Sequence, residues 1–228
     1  MDVSFELIEV AVLLGEPARV SMLWNLLDGG ARPAGELAFL ANVSPQSASL
    51  HLAKLVKAGM LKVRNHGRHR YYKIANSQVA HVIESMETLT PRTVKNKPLP
   101  RSQMPDFRAA RTCYDHLAGQ LAVDIVGAMQ NQGLISPGTK DFAVSDSGLR
   151  WFTEFGIDID EIKRGRRAFA RQCLDWSERQ YHLAGALGSV FLQQLLLRKW
   201  IVPHTSGRAV RVTVDGRKNL DSLFGIQA

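Results

Sequence analysis

The stretch from Ala34 to Ile74 constrains this 228-residue chain more than any other. Gly35 to Ala41 reads as a short helix carrying apolar Leu37, Ala38 and Leu40, and Asn42-Val43 makes a turn. A second helix runs from Ser44 to Ala58. Ser44 suits its N-cap, and Pro45 suits the first helical position, where a missing N–H costs nothing. Ala48, Leu52 and Leu55 fall at helical spacing and face a core. Gly59 then ends the helix in a left-handed conformation. Met60 to Arg64 and Tyr71 to Ile74 alternate as strands about the turn Asn65-His66-Gly67.

Helix, turn, helix and basic hairpin in this order spell a winged helix-turn-helix, a fold that reads DNA. Gln46, Ser47, Ser49, His51 and Lys54 cannot all join the apolar face of the second helix. With Ser44 they are the candidates for base edges and phosphates. The wing contributes Arg64, His66, Arg68, His69, Arg70 and Tyr71. No Asp or Glu occurs between Glu36 and Glu84, an interval that holds Lys54, Lys57, Lys62, Arg64, Arg68, Arg70 and Lys73. Such a one-signed surface attracts the phosphate backbone. The alternative is a winged-helix protein-interaction or architectural module without a small-molecule effector. A protein-binding helix would show more exposed apolar or aromatic anchors.

The segments VAVLLGEPARVSMLWNLLDGG, GELAFLANVSPQSASLHLAKLVKAGMLKV and GRHRYYKI make residues 5 to 86 resemble the ArsR/SmtB repressors. The chain looks like a long form with an added C-terminal domain. The resemblance implies that Leu14 to Arg19 opens the second helix of the domain. It also implies that Ser44, Gln46, Ser47, Ser49 and His51 lie at recognition-helix positions. It further implies a symmetric homodimer that pairs through terminal helices and leaves DNA when an effector binds. The metal sites usual in that family are not matched. Leu37-Ala38-Phe39-Leu40 carries no thiol where a Cys-x-Cys type motif would stand. His81, Glu84 and Glu87 on the last helix of the domain do not make up the full ligand set. Any effector is expected to act elsewhere.

The formal charge of +8 favours an anionic partner. The start of the chain does not resemble a signal peptide, and Val190 to Leu197 is too short to span a bilayer. Two cysteines do not make a disulfide framework, so a cytoplasmic home is expected. The expected domains are a winged helix-turn-helix at 1–90, a proline-rich linker at 91–105 and a sensor or dimerisation domain at 106–228. The linker is read as extended.

The last of these contains an internal repeat, about 106–158 and 160–228. His116-Leu117-Ala118-Gly119 recurs as His182-Leu183-Ala184-Gly185, and both copies close on Phe-Gly-Ile, at Phe155 and Phe224. Each copy reads as an apolar helix (Leu121 to Met129, Leu187 to Leu197), a strand-like pair and a final helix. The expected fold class is therefore mainly α with small β-wings, the C-terminal region being two tandem winged-helix-like repeats. Its apolar helices suit packing better than a groove.

The residues nominated for effector binding are Cys113, Tyr114, Asp115, His116, Cys173, Asp175, Trp176 and His182. Cys113 and His116, three apart, would share a helix face. Together Cys113, His116, Cys173 and His182 would make a tetrahedral site for zinc or another thiophilic metal. Core packing, a thiol redox switch and an organic ligand walled by Tyr114, Trp176 and Tyr181 are the other readings. No phosphate loop, His-Glu-x-x-His or Gly-x-Ser-x-Gly is present, and no enzymatic activity is expected. The reading is a sequence-specific transcriptional regulator, a repressor bound as a homodimer to two-fold related double-stranded DNA.

Overall fold

A computed structural model describes residues 4–66, 69–90, 105–205 and 207–227. They fall into two compact units, one within Met1–Pro91 and one within Arg92–Ala228. The expected linker lies outside the described residues except for Pro105, which begins a helix.

In the N-terminal unit α1 (Phe5–Leu14) and α2 (Pro17–Trp24) precede the short β1 (Arg32–Pro33). They are followed by α3 (Ala34–Leu40), α4 (Pro45–Lys57), β2 (Leu61–His66), β3 (His69–Ile74) and α5 (Ser77–Thr88). The three strands form an antiparallel sheet in the order β1-β3-β2. Met22, Leu23, Leu37, Leu52, Leu55 and Ile83 meet in its core. The Leu14-to-Arg19 segment has a clear physical role. Gly15 caps the end of α1, Pro17 occupies the first turn of α2, and buried Arg19 turns back. Its Nε donates to the Leu13 carbonyl at 2.6 Å and its Nη2 to the Val12 carbonyl at 2.8 Å. Two carbonyls that the end of α1 leaves without helical partners are thereby satisfied by a cation.

The C-terminal unit opens with α6 (Pro105–Ala109) and the hairpin β4 (Arg111–Cys113) and β5 (His116–Ala118). Helix α7 (Gln120–Asn131), the hairpin β6 (Ile135–Pro137) and β7 (Phe142–Val144), and helices α8 (Asp146–Glu154) and α9 (Ile159–Arg164) follow. The same order then recurs: hairpin β8 (Gln172–Leu174) and β9 (Tyr181–Leu183), helix α10 (Gly185–Leu197), hairpin β10 (Ile201–Pro203) and β11 (Val210–Val212), helix α11 (Val214–Phe224). Local details recur with it. Ser145 caps α8 through the Gly148 N–H, and Thr213 caps α11 through the Gly216 N–H. Gly119 and Gly185 have φ of +88° and +77°, and a Cβ on either would meet a backbone carbonyl at 2.5 Å, of Arg108 and Ala168 respectively. Only glycine fits both the conformation and the contact.

The two segments are joined reciprocally. The Thr112 N–H donates to the Arg208 carbonyl and the Val210 N–H to the Ala110 carbonyl. In the matching place Gln172 donates to the Lys140 carbonyl and Phe142 to the Ala170 carbonyl. Each segment's first hairpin thus extends the other's second. One apolar core, with Leu121, Phe152, Phe155, Leu187, Phe191 and Leu220 among its members, runs through both. No helix among the described residues is long and apolar enough to cross a membrane.

Candidate functional site

Helix α4 is fixed at its start by Ser44, whose Oγ accepts the Ser47 N–H at 3.2 Å, and by Pro45 in the first turn. Ala48, Leu52 and Leu55 lock one face into the core. The opposite face presents Ser44, Gln46, Ser49 and Lys54 to solvent, while Ser47 and His51 are half-buried. The Ser49 hydroxyl donates to the Pro45 carbonyl at 2.9 Å. Sequence reasoning passed over Leu50. It is 68% exposed and stands between Gln46 and Lys54 in one row along the helix. The four-residue spacing of 46, 50 and 54 was the available signal.

The wing is longer than the sequence suggested. Asn65 and His66 belong to β2 and pair with Arg70 and His69 of β3, so the reversal does not fall on Asn65-His66. Alternation of side chains continues through them, and pairing satisfies their backbone groups. Arg64, His66, His69 and Arg70 are exposed and Tyr71 is half-buried. The Tyr71 ring meets His66 edge-on, with centroids 6.3 Å apart. Arg68, expected on the wing, lies outside the described residues.

In the C-terminal unit Cys113 and His116 do not share a helix. They face each other across the β4–β5 hairpin as paired residues, and Cys173 and His182 do the same across β8–β9. Tyr114, at φ 63°, makes the tight reversal that a helix would forbid. Helix α10 packs on β5 and α7 packs on β9, which brings the two hairpins side by side. The Nε2 atoms of His116 and His182 lie 3.1 Å apart, with ring centroids 5.1 Å apart and planes 29° from parallel. One donor atom from each of Cys113, His116, Cys173 and His182 lies within 4.8 Å of the others. Both histidines and Cys113 are buried, Cys173 is half-buried, and neither cysteine is in a disulfide.

A carboxylate stands behind each histidine. Asp115 Oδ1 is 3.4 Å from His116 Nδ1, and Asp175 Oδ2 is 3.6 Å from His182 Nδ1. Arg111 Nη2 contacts both Asp175 oxygens, at 3.0 and 2.9 Å. Asp175 also accepts the Gly119 N–H at 2.7 Å and the Ser177 hydroxyl at 2.7 Å. Burial pushes the Asp175 carboxyl up, but the charge of Arg111, the neighbouring His182 ring and these hydrogen bonds outweigh it and hold it well below the usual range. Burial likewise opposes ionisation of Asp115, and hydrogen bonds from Arg167 and His116 prevail, leaving it lowered. Arg111 holds the aspartate of the other copy, while Asp115 is paired at 2.7 Å with Arg167, which sequence reasoning missed.

The aromatic residues nominated for an organic ligand are placed differently. Tyr114 and Tyr181 are about half exposed, and the Trp176 ring lies under the Arg111 guanidinium at 4.9 Å. An open hollow of about 780 Å³ between α8 and α9 is lined by residues such as Leu149, Arg150, Thr153 and Lys163 and contains none of the nominated residues.

Comparison with known proteins identifies a helix-turn-helix in the first unit. Residues 14–64 match the model of a helix-turn-helix domain family. The chain is 46% identical over 210 residues, 92% of each protein, to the uncharacterized HTH-type transcriptional regulator YdfF of Bacillus subtilis. It is 33% identical over 76 residues to the HTH-type transcriptional regulator KmtR of Mycobacterium tuberculosis, covering 33% of this chain and 58% of that one. Among solved structures the transcriptional repressor BigR of Xylella fastidiosa matches at 19% identity and a TM-score of 0.36, over 39% of this chain and 89% of its own. The extended identity to YdfF, together with the winged helix-turn-helix of the first unit, shows that this chain belongs to the HTH-type transcriptional regulators.

Proposed function

We propose that this regulator is a repressor of the ArsR/SmtB type that binds a two-fold related operator as a homodimer and is released by an effector acting on its C-terminal unit. The observation that carries the DNA reading is the solvent face of α4, where Ser44, Gln46, Leu50 and Lys54 stand clear of the core. The basic residues of the wing stand in a stretch that contains no acidic residue. In this reading Gln46 and Ser47 address base edges, and Leu50 meets a thymine methyl. Ser44, Ser49, His51 and Lys54 position the helix, and Arg64, His66, Arg68, His69, Arg70 and Tyr71 follow the flanking backbone. The effector site is placed among Cys113, Tyr114, Asp115, His116, Cys173, Asp175, Trp176 and His182.

Two features support dimerisation. Helix α1 buries none of its residues, and Phe5, Leu7, Ile8 and Val12 are exposed on it. Val82, Met86 and Leu89 add exposed apolar surface at α5. Apolar surface of this kind is expected to be covered by a second copy. The recurrence of hairpin, helix, hairpin and helix supports reading the C-terminal unit as tandem winged-helix-like repeats. The Ser145–Gly148 and Thr213–Gly216 caps support the same reading.

Selection of bound duplexes from a random pool tests the proposal. An inverted repeat with half-site centres about 34–36 Å apart is expected. A pool that shows no enrichment would favour the protein-interaction alternative.

A further inference from the structure

We propose that Cys113, His116, Cys173 and His182 form a tetrahedral binding site for a zinc-type metal ion, clamping the β4–β5 hairpin to the β8–β9 hairpin. Two residue pairs from separate hairpins of the chain place one donor atom per residue within 4.8 Å of all the others. A tetrahedral zinc ion with bonds of about 2.0–2.1 Å to nitrogen and about 2.3 Å to sulfur sets its donors about 3.3–3.8 Å apart. The two imidazole nitrogens stand 3.1 Å apart and no donor pair exceeds 4.8 Å, so donor shifts of about 1 Å or less reach that spacing.

The surroundings of the histidines point the same way. His116 Nδ1 is hydrogen-bonded to Asp115 at 3.4 Å, which favours the proton on that nitrogen and leaves the Nε2 lone pair directed at His182 Nε2, 3.1 Å away in a buried site. A cation bound by both Nε2 atoms would replace that single contact with two bonds. The Asp115–His116 pair is the outer partner that a metal-bound histidine usually has, and the Asp175 carboxylate stands 3.6 Å from His182 Nδ1, which has no hydrogen-bond partner among the described residues. Charge also balances. Binding releases the two thiol protons, and two thiolates neutralise a dication. Asp175 is separately neutralised by Arg111, so the filled site buries no net charge there. Nitrogen and sulfur donors without water-facing carboxylate ligands exclude magnesium and calcium. All four protein ligands close the shell, which is the arrangement of a structural or sensing ion rather than a catalytic one.

The test uses the full chain purified without chelator. Elemental analysis is expected to find one zinc per chain. The metal-free chain titrated with cobalt under anaerobic conditions is expected to give the visible bands of a tetrahedral ion with a thiolate charge-transfer band. Zinc is expected to slow alkylation of the cysteines by iodoacetamide at least tenfold, a readout that needs no variant and survives if Cys113→Ser fails to fold. Asp115→Asn is expected to weaken zinc binding about ten- to hundredfold. An octahedral cobalt spectrum without charge transfer, or alkylation at the same rate with and without zinc, would overturn the site. None of these readouts involves DNA, so the proposal stands or falls independently of the role given to α4.

Discussion

Arg111 and Asp175, 64 residues apart in the chain, form an ion pair in which the arginine side chain is 1% exposed and the aspartate 0%. Arg111 is also held between the rings of Phe107 and Trp176, at 5.3 and 4.9 Å. Replacing it by methionine leaves a carboxylate buried without its cation. The expected loss in unfolding free energy is about 3–5 kcal/mol, measured by urea denaturation. The double replacement with Asp175→Asn is expected to cost less than the sum of the single ones, because the stranded charge is then removed as well. Additive losses would show that the two side chains do not act as a pair.

On the wing, Arg64→Ala and Arg70→Ala are expected to weaken binding to all duplexes alike. Each should reduce the slope of log affinity against log salt by about 1, if each arginine contacts one phosphate. Titrations at several salt concentrations measure this. An unchanged slope would remove the wing from the backbone contacts.

On α4 the expectation is of another kind. Gln46→Ala should cost about 1–3 kcal/mol on the selected operator and much less on random DNA, which changes preference rather than overall affinity. Leu50→Ser should act at one A·T pair, and replacing that pair's thymine by uracil, which lacks the methyl, should reproduce the loss with the unaltered protein. Equal losses on both kinds of DNA would take these side chains out of base readout.

Helix α1 offers a test of assembly. Phe5 is 71% exposed and Ile8 48% exposed. Ile8→Asp is expected to shift the protein from dimer to monomer in sedimentation velocity. It should lower operator affinity by at least tenfold, because two half-sites can no longer be engaged together. A dimer that survives the substitution would move the interface away from α1.

Much of the N-terminal unit could be read directly from the chain, because local chemistry decides it. Ser44 and Pro45 mark the start of α4 and Gly59 stands just past its end, as the structure has them. Arg19 was legible only as part of a motif. Its use as a cap for the end of α1 depends on a chain reversal that no local pattern encodes. In the C-terminal unit the sequence pattern located α7, α10 and the strand pairs that follow them approximately, but it missed the first hairpins, β4–β5 and β8–β9, and set Cys113 and His116 on a helix. A spacing of three suits a helix face and a two-residue reversal equally, and the left-handed Tyr114 decides for the latter. The partnership of Arg167 with Asp115 spans 52 residues and leaves no trace in periodicity.

The reciprocal pairing of hairpins has a consequence for the life of the chain during synthesis. A nascent segment ending near residue 165 has completed β6 and β7, yet the strand that Phe142 and Lys140 bond to has not been made. Its β7 edge stays open until Ala170 and Gln172 emerge. Half of this unit on its own would thus be an adhesive object, prone to capture a second half from another chain. Separately expressed fragments 105–165 and 166–228 should be insoluble alone and should recover a folded pair when co-expressed.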